Sequence, residues 1–386
     1  MNQRIKILDG FRALAILPVV LFHFFTRWTT PFNDISLYPY GSDYDYFMFG
    51  KMGVQFFFII SGFVIVYTLD NTQNLKQFWI RRFIRLYPTM VIASLITLTI
   101  INLFDFSGYF AANGKIQNML SSLTFLPPWN LETIFRNKLE FEYIDGAYWS
   151  LWYEILFYIL CSVLYFANTK SFFRNFVVVS FLIIAGGTFF DNLSDGKFLG
   201  MAINPQSSVI KLLGYPFNLF PLHRHLVFFQ AGFFFYHLFK ARHGDYKIDD
   251  FFKIAMGLSF AVFCYYSYYH YLHSFEMMNV VAVMLIFALM LAMFLTFIYY
   301  PKALAFFETK WMVEIGLSSY FLYLIHQNIG GVILNDVKDI SLFANPVLPL
   351  VLMVFFVAFS IFYTRKIDKP ISKTLRKVFK LDAHKK

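Results

Sequence analysis

The sequence predicts an all-α fold: a polytopic integral membrane protein of about ten transmembrane helices with both termini cytoplasmic. Three observations predict it. First, 58% of the residues are hydrophobic and 22% aromatic, with 53 Phe, and only 15% are charged. Soluble domains carry about 45–50% apolar and about 25% charged residues, so a water-soluble core does not account for this chain. Second, apolar runs recur along its whole length, many about 17–22 residues long, the reach needed to cross about 30 Å of hydrocarbon. Third, the basic residues are strongly sided, as the assignment of spans makes clear.

The runs place spans at 11–28, 53–69, 86–104, 148–167, 175–190, 225–239, 251–269, 278–299, 313–334 and 346–364. The first is an anchor and not a cleaved signal, because Phe24, Phe25 and Trp28 stand where small residues would mark a cleavage site. Ten spans put both termini on one side. That side receives 24 of the 33 Lys and Arg, nine of them in the tail 365–386, and is therefore the cytoplasm. The net charge of +10 follows from this bias. It faces an anionic leaflet, so membrane lipid and not nucleic acid is the expected partner. The connections 105–147 and 191–224 are the longest, and neither is long enough for a soluble domain. One transmembrane domain over 1–386 is expected. Cys161 and Cys264 fall inside spans, which argues against a disulfide framework.

The polar residues inside the spans carry the chemistry. LDGFRALAILPVVLFH holds Arg12 and His23, eleven residues apart. On an α-helix that separation is three turns plus about 20°, with a rise of about 16 Å. Both side chains share a face, Arg12 at the cytoplasmic rim and His23 deeper. Arg12 alone reads as a snorkelling anchor and His23 alone as a helix–helix contact; the pair on one face reads as a functional path. FWIRRFIRLYP places Arg82 and Arg85 three residues apart, on one face if helical and spaced to grip phosphate, or else as ordinary positive-inside charge. In GVQFFFIISGF, Ser61-Gly62 reads first as a close-packing pair. In AYWSLWYE, Glu154 is a carboxylate inside an aromatic span, expensive unless protonated or paired. Tyr148 and Trp152 lie one turn apart, as an interfacial belt or an aromatic wall. In SYFLYLIHQN, His326 has Tyr323 and Gln327 beside it and is either a satisfied core histidine or a site residue. His223 and His225 are expected in an outer loop, and His270 and His273 beside an outer turn. No HExxH or Cys/His ligand pattern occurs, so no metal is expected.

Together these stretches resemble the membrane-bound acyltransferase family 3, bacterial O-acyltransferases of cell-surface glycans. LDGFRALAILPVVLFH is similar to the family's opening motif, GVQFFFIISGF to its second, and RFIR to its R-x-x-R loop. SLWYE and SYFLYLIH follow in family order over residues 8–326. The resemblance implies an O-acetyltransferase of the bacterial cytoplasmic (inner) membrane, with cytoplasmic acyl-CoA, usually acetyl-CoA, as co-substrate. The acceptor would be a glycan or lipid-linked saccharide: lipopolysaccharide, capsule, secreted polysaccharide or a lipid-linked oligosaccharide. His23 would be the general base or the nucleophile, Glu154 its orienting or proton-receiving partner, and Arg12, Arg82 and Arg85 the hold on the CoA phosphates. Gln55 stands where many members have an acidic residue, so an acidic partner for the histidine is missing there. Ser61, Tyr148, Trp152, Tyr323 and His326 would support the site or touch substrate. Loops 105–147 and 191–224, with Trp129 and Tyr143, would form the acceptor surface, and no appended extracytoplasmic domain is expected. The rival reading is a transporter or flippase of a saccharide or small solute, which predicts inverted repeats that this sequence does not display. A non-catalytic partner in glycan assembly is a third class, opposed by the presence of Arg12, His23, Arg82, Arg85 and Glu154.

Overall fold

The computed structural model describes residues 5–28, 41–194, 197–198, 201–202, 208–274, 279–340, 342 and 345–381. In chain order the α-helices are α1 (Lys6–Phe25), α2 (Gly53–Asp70), α3 (Leu75–Phe104), α4 (Met119–Thr124), α5 (Pro128–Ile134), α6 (Trp149–Ala167) and α7 (Phe172–Ser194). They continue as α8 (Ser208–Leu219), α9 (His223–Arg242), α10 (Asp250–Ser274), α11 (Val280–Tyr299), α12 (Lys310–Val337), α13 (Val347–Tyr363) and α14 (Lys369–Val378). Beside them, a strand pair of two residues each joins Lys197–Phe198 to Met201–Ala202. Each of the ten expected spans falls on a long helix. The first helix begins earlier than expected, so that Leu8 and Asp9 belong to it; it closes where the N–H groups of Thr26 and Arg27 both turn back to the Phe22 carbonyl at 2.9 Å.

Eight helical segments among the described residues are long and apolar enough to cross a membrane, and α9 and α12 are not among them. Both carry too many polar side chains. His223, His225, Gln230 and His237 lie on α9, and His326, Gln327, Asn328 and Asn335 on α12, yet all eight are buried. Polar groups are tolerated at membrane depth where protein surrounds them, and these two helices are walled by neighbours.

The chain divides into two compact units. Unit 1 comprises Met1–Phe57, Lys76–Trp152 and Tyr300–Lys386. At its centre α12 packs against α1 and α13. α1 and α12 run parallel: Asp9 lies at Gly316, His23 at His326 and Phe24 at Gly330. The contact is backbone-close. A Cβ on Gly316 would run into the Asp9 carbonyl, and one on Gly330 would sit 2.8 Å from Cζ of Phe24. On the other side of α12, Phe321 stacks on Tyr363 of α13 at 3.7 Å.

Unit 2 comprises Phe58–Leu75 and Tyr153–Tyr299, with α9 packed by α7, α10 and α11. Its cement is aromatic. Phe233 stacks on Phe176 at 3.9 Å, Phe228 on Phe287 at 5.4 Å and Phe235 on Phe294 at 4.9 Å. Between lipid-immersed helices the hydrophobic effect offers no drive, so association rests on packing. Ring pairs supply it, each adding about 0.5–1.5 kcal/mol, which gives the abundance of Phe its purpose. α2 crosses α9 at Gly62 and Gly232, where a Cβ on either would meet the backbone of the other helix. The close packing expected of Ser61-Gly62 is thus made by Gly62.

The α1–α12 contact is directly testable. Gly316→Leu should lower the thermal unfolding midpoint in detergent, at an overpacking cost of about 1–3 kcal/mol. Gly257→Ala on α10, where a Cβ meets nothing within 4 Å, should leave it unchanged or raise it. Equal midpoints for wild type and Gly316→Leu would show that the two helices do not approach this closely.

Candidate functional site

The site of unit 1 is built on the parallel contact between α1 and α12. His23 is almost entirely buried and His326 completely so. Their rings meet edge to face with centroids 4.7 Å apart. Nε2 of His326 lies 3.1 Å from Nδ1 of His23. Nδ1 of His326 lies 2.8 Å from the Tyr323 carbonyl, and Nδ1 of His23 lies 2.8 Å from the Val19 carbonyl.

These distances assign the protons. A carbonyl oxygen only accepts, so both Nδ1 atoms carry hydrogen. Nε2 of a neutral His326 is then a lone pair that accepts from Nδ1–H of His23, which it shares with Val19. The lone pair of His23 is left on Nε2. A ring held in this tautomer has one reactive atom, suited to taking a proton or attacking a carbonyl carbon.

The turn of α12 that carries His326 is held from outside by residues 144–150. Tyr148 donates its hydroxyl to the Leu324 carbonyl at 3.0 Å, and Tyr323 donates to the Ala147 carbonyl at 2.8 Å. Ser150 Oγ lies 2.8 Å from the Tyr323 hydroxyl. Asn328 donates its side-chain amide to the Ile144 carbonyl and its backbone N–H to Asp145 Oδ2, both at 2.9 Å. Asp145 Oδ1 accepts the Ala147 N–H at 2.9 Å and so caps its own turn. Tyr148 and Trp152 are therefore interior residues, 2% and 6% exposed. This corrects the expectation of an interfacial belt: an aromatic near a span end can face either lipid headgroups or a neighbouring helix, and here Tyr148 has found a backbone partner on α12.

The arginines take distinct positions. Arg12 Nη1 pairs with Asp9 Oδ1 at 3.0 Å across one turn of α1. Arg82 and Arg85 both lie on α3, but they do not present one face. Arg82 is buried with its guanidinium 5.5 Å from the Phe78 ring centre, while Arg85 is exposed. Three residues turn a helix by about 300°, so its packed side can divide such a pair. Gln55, in the first turn of α2, is buried, and its Oε1 has no hydrogen-bond partner among the described residues. Trp129 is 42% exposed and meets Tyr143 edge to face at 6.4 Å. Of the expected acceptor surface, residues 195–196, 199–200 and 203–207 lie outside the described residues.

In unit 2, Glu154 is not alone. It accepts from the Ser61 hydroxyl at 2.9 Å and from the Tyr158 hydroxyl. Ser61, expected as a packing residue, is therefore a carboxylate partner. His223 and His225 form the first turn of α9 and are buried, not in an outer loop. Nε2 of His223 bonds Asp191 at 2.9 Å. Among the described residues no cluster of three His, Cys, Asp or Glu is placed to hold a metal ion.

Sequence reasoning missed Asp9, Asp145 and Asn328. Asp145-Gly146 reads only as a turn signal, and nothing local ties it to α12.

Comparison with known proteins gives the class of this polytopic helical protein. Residues 5–365 match the acyltransferase domain family known as acyltransferase 3, and the chain belongs to that family. Over 191 residues it is 27% identical to the "Putative peptidoglycan O-acetyltransferase YrhL" of Bacillus subtilis, covering 46% of this chain and 26% of that protein. Over 164 residues it is 28% identical to the peptidoglycan O-acetyltransferase OatA of Listeria monocytogenes, covering 40% of this chain and 23% of that one. Over 98 residues it is 34% identical to a "Putative O-acetyltransferase" of Staphylococcus aureus, covering 24% and 13%. The chain thus spans between 13% and 26% of the length of these relatives. No solved structure matches it.

Burial pushes the Asp145 carboxyl up to about 7, against the pull of its two backbone N–H bonds. A raised folded pKa means the folded protein keeps a proton that the unfolded chain has released. Between about pH 4 and about pH 7 this group's contribution to stability should fall as pH rises, by up to about 1.4 kcal/mol per pH unit, and level off above. Asp145→Asn should remove that component. Unfolding midpoints in detergent from about pH 5 to about pH 8 check it; parallel curves for wild type and variant would refute it.

Proposed function

We propose that this chain is an O-acetyltransferase of the bacterial cytoplasmic membrane, moving an acyl group, acetyl first among them, from acyl-CoA to a saccharide hydroxyl. Two relatives named for peptidoglycan make a peptidoglycan strand or its lipid-linked precursor the first acceptor class to try. The observation that carries the reading is the buried His23–His326 pair, with its single reactive nitrogen, in a chain of the acyltransferase 3 family.

The chemistry follows from the tautomer. As a base, His23 Nε2 takes the proton of the acceptor hydroxyl while its oxygen attacks the thioester carbonyl. The thiolate of CoA leaves and recovers that proton. The positive charge on His23 in between is shared through Nδ1–H with the Val19 carbonyl and with Nε2 of His326. As a nucleophile, Nε2 would instead take the acyl group from the thioester and release CoA before the hydroxyl arrives. Both routes use the same atom and need no metal. Arg85 at the surface, with Arg12 and Arg82, supplies cationic charge in unit 1 for the CoA phosphates. The unsatisfied Oε1 of Gln55 offers an acceptor for a substrate hydroxyl or amide. The exposed ring of Trp129 offers a stacking face for a sugar.

The test is release of free thiol from acetyl-CoA by purified protein in nanodiscs, with peptidoglycan fragments or lipid-linked precursor as acceptor. Wild type should turn over. His23→Ala should lose at least about 10³-fold, and His326→Gln, which keeps a polar group but loses the imidazole acceptor, about 10²-fold. Turnover by His23→Ala equal to wild type would sink the assignment of the reacting atom. No thiol release by folded wild type with any acyl-CoA would sink the enzyme reading.

A further inference from the structure

Asp145 is fully buried, and among the described residues no cationic side chain forms an ion pair with it. Burying an uncompensated carboxylate is expensive, so its two bonds need a reason. The first, to the Ala147 N–H, caps the short turn Gly146–Tyr148. Ser or Asn does that as well. The second goes to the N–H of Asn328 in the middle of α12, a donor that an α-helix normally satisfies with the carbonyl four residues earlier, Leu324. That carbonyl in turn accepts from Tyr148. The turn 145–148 therefore addresses both the acceptor and the donor of one helical step. The residue midway along that step is His326, whose Nε2 lies 3.1 Å from Nδ1 of His23, and the next is Gln327. A Cβ on Gly146 would run into the Gln327 amide, so the loop presses on this turn at a third point. The helix itself has no need of these contacts. They fix the rotation and height of the turn that carries His326.

We propose that Asp145 is a positioning residue for the histidine pair: its carboxylate, bonded to the Asn328 N–H, clamps α12 so that Nε2 of His326 meets Nδ1–H of His23. The clamp rests on the acyl-transfer reading only for its catalytic consequence. It makes no contact with the reacting atoms. Its effect passes through His326 to the proton on His23 Nδ1, and so to the lone pair on Nε2.

Two variants separate the clamp from the cap. Asp145→Ser keeps an oxygen for Ala147 but is too short for Asn328. Asp145→Asn keeps the shape and turns an N–H₂ toward one of the two donors. The direct readout is 15N NMR of histidine-labelled protein in lipid, with the imidazole signals of the pair assigned by His23→Ala and His326→Gln. In both Asp145 variants the signals of His23 and His326 should leave their wild-type tautomer positions while those of His237 on α9 stay. Thiol release should show kcat lowered by about 10²-fold with KM for acetyl-CoA unchanged. Wild-type signals for His23 and His326 in folded Asp145→Ser overturn the clamp. Failure of both variants to fold overturns it too, by making Asp145 a residue of the fold. The spectra decide independently of turnover: a wild type that releases no thiol removes the acyl-transfer reading, and the comparison of signals still decides the clamp.

Discussion

The parallel, backbone-close packing of α1 on α12 is the constraint from which the rest of the site follows. Two imidazoles can share one hydrogen only if their helices sit within a narrow range of separation and register. Gly316 against the Asp9 carbonyl and Gly330 against the Phe24 ring set that separation at two levels. His23 and His326 fall between those levels. A side chain at Gly316 would meet the Asp9 backbone and force the helices apart, whereas one at Gly330 would meet the Phe24 ring.

The membrane imposes a second rule, and the two units obey it alike. Each carries one helix that is too polar to face lipid, α12 in unit 1 and α9 in unit 2, and each wraps that helix in apolar neighbours. Polar groups there are bonded to other protein groups in place of water. Glu154 with Ser61 and Tyr158, His223 with Asp191, and Asp145 with two backbone N–H groups all follow this pattern. Low dielectric strengthens such bonds and penalises gaps in them, and Gln55 Oε1 is one such gap among the described residues.

Gln55 is neutral and so can lend no carboxylate to His23. The observed partner of His23 is a second imidazole. A neutral imidazole accepts the Nδ1 proton as a carboxylate would, and so fixes the tautomer. It stabilises a positive charge on His23 less than an anion does. The Val19 carbonyl on the same hydrogen makes up part of that difference.

Much of the fold was legible in the sequence for a plain reason. An apolar run long enough to cross a bilayer has few alternatives to a helix, so each of the ten expected segments falls on a helix, eight of the described helical segments being long and apolar enough to cross. That Arg12 and His23 lie on one helix was legible too, because helical periodicity is local. What required the tertiary structure were relations between distant segments. His326 stood out as a polar residue in a span, yet its distance of 303 residues from His23 hid their pairing. Asp145 looked like a turn former because its second bond is to α12. Tyr148 and Trp152 looked interfacial because composition does not say whether a ring near a span end meets lipid or protein. Arg82 and Arg85 were expected to share a face only if their segment is helical; it is, but which side of it is buried depends on what packs there. The sequence alone determined which residues lie in the membrane and which of them are out of place in lipid. Only the tertiary structure decided which of those misplaced residues satisfy one another, since hydrogen bonds between helices depend on separation and register that no local pattern encodes.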